Sequence, residues 1–147
     1  MKSLFDTMLY VSWHTSGRLP EKWQRAWDEC AYNGTLLINE LLISEIYNQL
    51  ARTVGYESAQ NCIMKIKSLK GIKMFPIDED DNLAMDAGRI RLIAKQHKLN
   101  ISLVDSYLIS ISRKTGARIH TTDHVIRDLA RVVKCEMNYL PLAEIGE

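Results

Sequence analysis

The sequence predicts an α/β fold in which helices pack against a mainly parallel sheet. Short apolar segments of β-type composition alternate with longer segments in which apolar residues recur every three or four positions. Glycine, proline and capping residues separate these segments. The resulting order, β, α, β, α, α, β, α, α, β, α, β, is that of successive strand-helix units, which build parallel sheets. The 147 residues suit one domain, which we expect to span residues 1–147.

The first half of the chain predicts two strands and three helices. Trp23 and Trp27 fall on one face of the first helix, and Cys62 and Ile66 fall on one face of the third. The expected elements are a strand over residues 2–11, a loop over 12–20, a helix over 21–31, a short strand within 35–43, a helix over 45–54 with Ser44 as its N-cap, and a helix over 58–70.

The second half predicts three strands and three helices. Pro76 lacks a backbone N–H, so the strand that contains it is expected at an edge of the sheet. Gly116 is the residue type that ends a helix in a left-handed conformation. The expected elements are a strand over residues 72–77, a long helix over 78–98, a helix over 102–115, a strand over 117–121, a helix over 124–131 and a last strand over 132–137.

Composition is that of an ordinary globular protein. Apolar residues make up 46% of the chain and charged residues 25%, and the formal net charge is +1. No apolar run approaches the roughly 18 residues of a membrane-spanning helix, and the N-terminus is a poor match to a secretory signal. We therefore expect a cytoplasmic protein with no membrane partner. The three cysteines are widely spaced and form no CxxC pair, so buried free thiols are expected.

Four acidic residues stand at or just beyond apolar segments. They are Asp6 in LFDTML, Glu45 in LLISEIYNQL, Asp105 in ISLVDSYLI and Asp123 in ARIHTTD. A carboxylate beside an apolar segment is poorly hydrated and needs a cation, a metal or a helix N-terminus as its partner. In an open α/β sheet, ligands bind at the carboxyl ends of the strands. If these segments are neighbouring strand-helix units, the four carboxylates form one shared site there.

Three of the four acids also have a structural interpretation. Asp105 stands three residues after Ser102, so the pair could form a capping box. Asp123 could be the N-cap of the next helix, and Glu45 could be a first-turn acid that complements the helix dipole. Asp6 differs from these, because an aspartate inside a predicted strand has no helix to cap and strand interiors disfavour it.

Converging carboxylates are typical of sites for hard divalent cations. Mg²⁺ and Mn²⁺ prefer oxygen ligands, and a metal held there can activate a water molecule against a phosphodiester. The sequence contains no GxSxG, GxxxxGK[ST] or GxGxxG motif that would indicate another chemistry. The pattern therefore favours metal-assisted hydrolysis.

In their order and surroundings, these acids resemble those of PIN-domain ribonucleases, closest to the VapC toxins of type II toxin-antitoxin pairs. The matching stretches are LFDTMLYV, LLISEIYNQL, LNISLVDSYLISIS and GARIHTTDHVIRDL, and the resemblance covers about residues 2–138. It implies a three-layer α/β/α sandwich, a Mg²⁺ or Mn²⁺ site and endonucleolytic hydrolysis of RNA. It also implies a homodimer and inhibition by a small cognate antitoxin protein.

The resemblance also assigns residues to the site. Asp6, Glu45, Asp105 and Asp123 would bind the metal, and Thr121, in the family's T-x-D segment, would orient a carboxylate or a water molecule. PIN domains also occur in RNA-processing nucleases, which are one alternative to a toxin. A non-enzymatic module that binds RNA or protein is another. A phosphohydrolase for small phosphate esters is disfavoured, because the DxD motif of the haloacid dehalogenase family is absent.

Other conspicuous residues are expected to be structural or to contact partners. The acidic run at residues 78–81 begins a helix, where negative charge complements the dipole. His120 and His124 flank a strand-to-helix junction and so lack the helical spacing of zinc ligands. The two tryptophans of the first helix are more typical of a core or interface than of base stacking. Apolar surface near them and near Leu50 is expected to be exposed and to contact a second copy or an antitoxin.

Overall fold

The strands form one parallel sheet in a computed structural model that describes residues 1–17, 19–77 and 81–139. They are β1 (Lys2–Phe5), β2 (Thr35–Ile38), β3 (Ile72–Met74), β4 (Arg118–Thr121) and β5 (Met137–Tyr139). Their order in the sheet is β3-β2-β1-β4-β5, and every neighbouring pair is parallel. The first strand of the chain is therefore the central one, with β2 on one side and β4 on the other.

Helices make the connections that a parallel sheet requires. In the described residues they are α1 (Thr7–Ser16), α2 (Glu21–Asp28), α3 (Glu40–Val54), α4 (Tyr56–Lys67), α5 (Asp81–Gln96), α6 (Leu103–Thr115) and α7 (His124–Val133), with a π-helical segment over Glu29–Asn33. The predicted α/β/α sandwich with a mainly parallel sheet is confirmed.

The segment after β1 is a helix, whereas the sequence predicts a strand to residue 11 and a loop over 12–20. The backbone of Asp6 is extended, and its carboxylate accepts the N–H of Leu9, so Asp6 is the N-cap of α1. Gly17 ends the helix with a φ of 71°. The strand prediction is wrong because the neighbours Leu9 and Tyr10 are both fully buried, and burial at adjacent positions hides the helical period.

Helix α3 also differs from the prediction, because it begins at Glu40 rather than at Glu45. Asn39 is its N-cap, and the Asn39 Oδ1 atom accepts the N–H of Leu42 at 2.9 Å. Ser44 therefore lies inside the helix and does not cap it. Apolar runs on both sides of the pair Asn39–Glu40 conceal the capping role of Asn39 in the sequence.

The remaining helices lie close to their predicted bounds, but the last strand does not. Residues 132–133 belong to the end of α7, and β5 begins only at Met137. The strand that precedes Pro76 is at the edge of the sheet, as predicted. Residues 78–80 of the acidic run lie outside the described residues. Among the helices that the structure describes, none combines the length and apolar character needed to cross a membrane.

An aromatic cluster holds β1 against α2. The Trp27 ring stacks on the Phe5 ring, with centroids 5.6 Å apart, and lies 4.6 Å from the Trp13 ring. Trp23, Trp27 and Leu50 are themselves fully buried, whereas Tyr32, which follows α2, and Val54, one turn after Leu50, supply exposed apolar surface nearby. Its contact with a second copy or an antitoxin stays a prediction. The helices turn the three buried side chains toward the core. Phe5 directly precedes Asp6, and the cluster therefore fixes the end of the strand from which that carboxylate projects.

The cysteines are free, as the sequence predicts. Cys30 and Cys62 are buried in the core, and Cys135 is half-buried. Burial raises the pKa of the Cys62 thiol to about 11. This thiol is therefore protonated at neutral pH and serves as a small apolar side chain.

Candidate active site

Four carboxylates face one cavity at the carboxyl end of the central strands. The cavity has a volume of about 280 Å³. Asp6 follows β1, Asp123 follows β4, Glu45 is in the second turn of α3, and Asp105 is in the first turn of α6. The rest of the lining comes from Thr7, Met8, Gln49, Thr122, His124 and Ile126. The structure thus brings together four acids from four elements at the place where open α/β sheets place their ligands.

Asp6 is the most enclosed of the acids, with only 5% of its surface exposed. Its Oδ2 atom accepts the Thr121 hydroxyl at 2.5 Å and the backbone N–H of Thr122 at 3.0 Å, and its Oδ1 atom accepts the N–H of Leu9 at 3.4 Å. Burial raises the pKa of this carboxyl group, and the three hydrogen bonds oppose the rise. The sequence argument that Asp6 has no helix to cap is wrong, since it both caps α1 and faces the cavity.

Thr121 connects two of the acids. Its hydroxyl donates to Asp6 and accepts the backbone N–H of Asp123 at 3.0 Å. Asp123 in turn caps α7, because its Oδ1 atom accepts the N–H of Val125 at 2.8 Å. One threonine hydroxyl therefore sets the position of Asp6 relative to the turn that carries Asp123.

Asp105 lies at the start of α6, where the hydroxyl of Ser102 accepts its backbone N–H at 3.1 Å. The pKa of the Asp105 carboxyl group is raised to about 7, chiefly by burial and next by the charge of Glu45. The charges of Asp6 and Asp123 raise it further, whereas hydrogen bonding from Ser102 lowers it. Asp105 therefore lies in the helix turn that Ser102 caps and also faces the cavity that the other acids line.

Glu45 is held by a residue whose role the sequence does not reveal. The Thr7 hydroxyl donates to the Glu45 Oε1 atom at 2.8 Å, which links the first turn of α1 to α3. Gln49 lies one turn after Glu45 and lines the same cavity. Helical spacing from Glu45 is the signal that identifies Gln49, but no local pattern predicts the contact of Thr7 across 38 positions.

The donor set fits a hard divalent cation. Carboxylate, hydroxyl and amide oxygens are the ligands that Mg²⁺ and Mn²⁺ prefer. Across residues 1–17, 19–77 and 81–139, none of the four acids forms an ion pair with a lysine or arginine. Within the same ranges, no three acidic, histidine or cysteine side chains already stand as a compact metal-binding group. The acids share a cavity, and the charges of Glu45, Asp6 and Asp123 raise the pKa of Asp105. A cation in that cavity would relieve their repulsion.

The histidines differ in position. His120 is buried, and its ring lies 4.7 Å from the Phe5 ring. Its Nδ1 atom is 3.2 Å from the Asn138 amide nitrogen, and burial lowers its pKa to about 4. It is a neutral core side chain, which agrees with the structural role that the sequence predicts for it. His124, the first residue of α7, lines the cavity.

Two further aspartates stand apart from the cavity. Asp86 accepts the Ser110 hydroxyl at 2.8 Å and pairs with Arg113 at 3.2 Å. Asp128 pairs with Arg127 at 2.9 Å. Both carboxylates are balanced by a neighbouring guanidinium group, in contrast to the four acids of the cavity.

Comparison with known families agrees with this geometry. The family model described as the PIN domain matches residues 4–132. The chain belongs to the PIN domain family. The matched region contains all four cavity acids, and it begins at β1 and ends within α7 of this PIN domain.

Solved structures share the fold of this PIN domain at low identity. VapBC2 from Rickettsia felis, bound to a DNA fragment from the promoter, has a TM-score of 0.73 at 16% identity, over 95% of this chain and 98% of that chain. VapC20 from Mycobacterium tuberculosis, a Sarcin-Ricin loop cleaving toxin, has a TM-score of 0.68 at 15% identity, over 87% of this chain and 94% of that chain. DNA-bound VapBC from Salmonella typhimurium has a TM-score of 0.70 at 14% identity, over 95% of this chain and 98% of that chain. No curated protein sequence matches the chain significantly.

The opposite pKa shifts of Asp105 and His120 produce opposite effects of pH on stability. Asp105 has a pKa of about 7 when folded and 3.8 ordinarily, so between these values the folded state binds more protons and the free energy of unfolding falls as pH rises. The pKa of His120 falls from 6.5 to about 4 on folding, so its contribution rises over that range. In the wild-type protein, these two opposite pH dependences of the free energy of unfolding partly cancel.

We expect Asp105→Asn to remove the contribution to the free energy of unfolding that falls as pH rises. The free energy of unfolding of the wild type, minus that of the variant, should decrease between about pH 4 and 7 by at most about 1.4 kcal/mol per pH unit. Denaturant unfolding of both metal-free proteins across this range measures the difference. A difference that does not change with pH would contradict the raised pKa.

Proposed function

We propose that this protein is a metal-dependent endoribonuclease that hydrolyses RNA phosphodiester bonds. The observation that carries the proposal is the cavity lined by Asp6, Glu45, Asp105 and Asp123, which come from four elements and form no ion pair among the described residues. Membership of the PIN domain family supports it. So does the fold shared with VapC20, which is described as a Sarcin-Ricin loop cleaving toxin.

The four acids would hold Mg²⁺ or Mn²⁺. When bound, such an ion lowers the pKa of a water molecule and stabilises charge on the leaving oxygen of a phosphodiester. The chain itself supplies the orientation of the ligands, because Thr121 holds Asp6 and Thr7 holds Glu45. Thr121 and Thr7 act as positioning residues, since the hydroxyl group of each donates to a carboxylate and fixes its orientation.

The partners proposed here follow from the structures that share the fold. One of them is a toxin-antitoxin complex from Klebsiella pneumoniae, and others are VapBC assemblies. We propose that this chain is the cytoplasmic toxin of a VapBC-type pair, that a small antitoxin protein inhibits it, and that it forms a homodimer. Size measurement of the purified protein, alone and co-expressed with a candidate antitoxin, tests these assemblies.

A cleavage assay tests the nuclease proposal. The protein is incubated with a mixed pool of tRNA and rRNA and with Mg²⁺ or Mn²⁺, beside an EDTA control and two variants. Asp105→Asn changes a cavity acid, and Asp128→Asn is the matched control, because Asp128 is paired with Arg127 outside the cavity. The proposal would be supported if the wild type and Asp128→Asn gave discrete products and if Asp105→Asn and the EDTA control gave none. Products that persist in EDTA would refute metal dependence, and an absence of cleavage together with an absence of metal binding would favour the non-enzymatic module.

Replacing Thr121 by valine is expected to reduce cleavage by about 10- to 100-fold, the usual effect of losing a group that orients a metal ligand. Valine keeps the shape of the side chain but removes the hydroxyl that contacts Asp6 and the N–H of Asp123. Initial rates on a mapped RNA substrate measure the loss. Thr121→Ser, which keeps the hydroxyl, should restore most of the rate, and equal losses in the two variants would refute the positioning role.

A further inference from the structure

A second cavity, of about 620 Å³, lies at the end of α5, and three of its eight lining residues are cationic. Arg91 and Lys95 come from the last turns of α5, and Lys98 comes from the connection to α6. All three are exposed, and none of them forms an ion pair within the part of the chain that the structure describes. Asn100 adds an amide group to the wall. Three unpaired positive charges and an amide in one concave surface suit an anion.

The backbone at Lys98 adds a second observation. Lys98 has a φ of 58°, in the left-handed region, and the N–H of Leu99 donates to the Ala94 carbonyl at 2.8 Å. Glycine is the residue that this kind of helix end favours. The chain nevertheless carries a lysine there. Attraction to the carbonyl end of α5 explains a positive charge at Lys98. It does not explain why three cations surround one cavity, which a bound anion would explain.

The cavity lies at the same end of the molecule as the acids. Late α6 contacts early α5, because the Ser110 hydroxyl reaches Asp86 at 2.8 Å and the Leu83 carbonyl at 3.3 Å. The two helices are therefore antiparallel, and the end of α5 lies beside the first turn of α6, which carries Asp105. Ile101 of the cavity wall is four residues before Asp105, a separation of at most about 15 Å.

We propose that this basic cavity binds backbone phosphates of the RNA strand that is cleaved at the acid site. The proposal rests on the nuclease function proposed above and specifies how that function recognises its substrate. The carboxylates repel an RNA strand, so nearby cations must supply attraction to the phosphates on either side of the scissile bond. Arg91, Lys95 and Lys98 are free to do so, whereas Arg113 and Arg127 are paired with aspartates. Contacts of this kind read charge and not base sequence.

The structure offers a matched pair of variants to test this. Lys134, at the end of α7, is also a lysine in the left-handed conformation, with a φ of 59°. Lys134 lies at the opposite end of α7 from Asp123 and is not among the residues that line the basic cavity. Lys98→Gly and Lys134→Gly each remove one charge and each place glycine where glycine is favoured. Neither variant should lower the melting temperature, so a loss of binding by one of them cannot be attributed to unfolding.

Binding of a short, fluorescently labelled, single-stranded RNA is measured by anisotropy in EDTA, over a series of salt concentrations. We expect Lys98→Gly to raise the Kd about fourfold at physiological salt and to reduce the slope of log K against log salt by about 0.7. Combining it with Arg91→Gln and Lys95→Gln should reduce the slope by about 2. Lys134→Gly should change the Kd by less than about twofold, since it lies outside the cavity.

The outcomes separate this proposal from the nuclease proposal. Equal Kd values and slopes for Lys98→Gly, Lys134→Gly and the wild type would overturn the phosphate site, even if the wild type cleaves RNA with Mn²⁺. Binding that depends on Lys98, in a protein that never cleaves RNA, would support the phosphate site and refute the nuclease function. A wild type that neither binds nor cleaves RNA would overturn both.

Discussion

Replacing Asp6 by asparagine is expected to reduce RNA cleavage by about 10⁴-fold, the size of loss seen when one member of a catalytic unit is removed. Asp6 faces the cavity with three other acids, so the change removes one ligand charge from the proposed metal site. The fold should survive, because an asparagine oxygen can still accept the Thr121 hydroxyl and the Thr122 N–H, and only the longest of the three hydrogen bonds, from the Leu9 N–H, loses its acceptor. Single-turnover cleavage of a mapped RNA measures the rate, and thermal unfolding measures the fold.

The stability of this variant provides an internal control. Burial raises the pKa of Asp6, so the ionised carboxylate destabilises the metal-free protein, and the neutral amide should make it equally or more stable. Added Mn²⁺ should raise the melting temperature of the wild type and not that of Asp6→Asn, since a ligand stabilises only the state that binds it. Wild-type cleavage by a folded Asp6→Asn protein would disprove the metal-site proposal.

Replacing Trp27 by alanine is expected to lower the free energy of unfolding by about 3–5 kcal/mol, which is a large part of the stability of a typical domain. Trp27 has 0% of its surface exposed and contacts the rings of Phe5, Tyr10 and Trp13. Its loss leaves a cavity beside β1 that the surrounding helices cannot fill. Equilibrium unfolding in urea measures the change.

Two other variants show whether the loss comes from packing. Trp27→Phe keeps an aromatic ring in the cluster and should lose clearly less than the alanine variant. Tyr32→Ala removes an aromatic side chain that is 46% exposed and should change the free energy of unfolding by less than about 0.5 kcal/mol. If Trp27→Ala and Tyr32→Ala were equally mild, the aromatic cluster would not be the support of β1 that the structure indicates.

Local patterns in the sequence predict the grouping of the four acids better than the contacts around them. Asp105 and Asp123 each follow a recognisable local pattern, and the structure places both beside Asp6 and Glu45 in one cavity. The role of Asp6 as a cap was missed, because β1 ends one residue before it and α1 has no clear helical period. Thr7 was missed as the partner of Glu45, because its contact spans 38 positions and leaves no local trace.

Features that depend on neighbours along the chain follow from the sequence alone. Alternation of strand and helix segments, the cap at Ser102 and the glycine end at Gly116 are local, so composition and spacing predict them. Which elements meet depends instead on the tertiary fold. The strand order places β1 between β2 and β4, and this brings the Thr121 hydroxyl to Asp6 across 115 positions. The pKa of Asp105 depends on the same assembly, because burial and the charges of distant acids raise it, and neither exists until the sheet has formed.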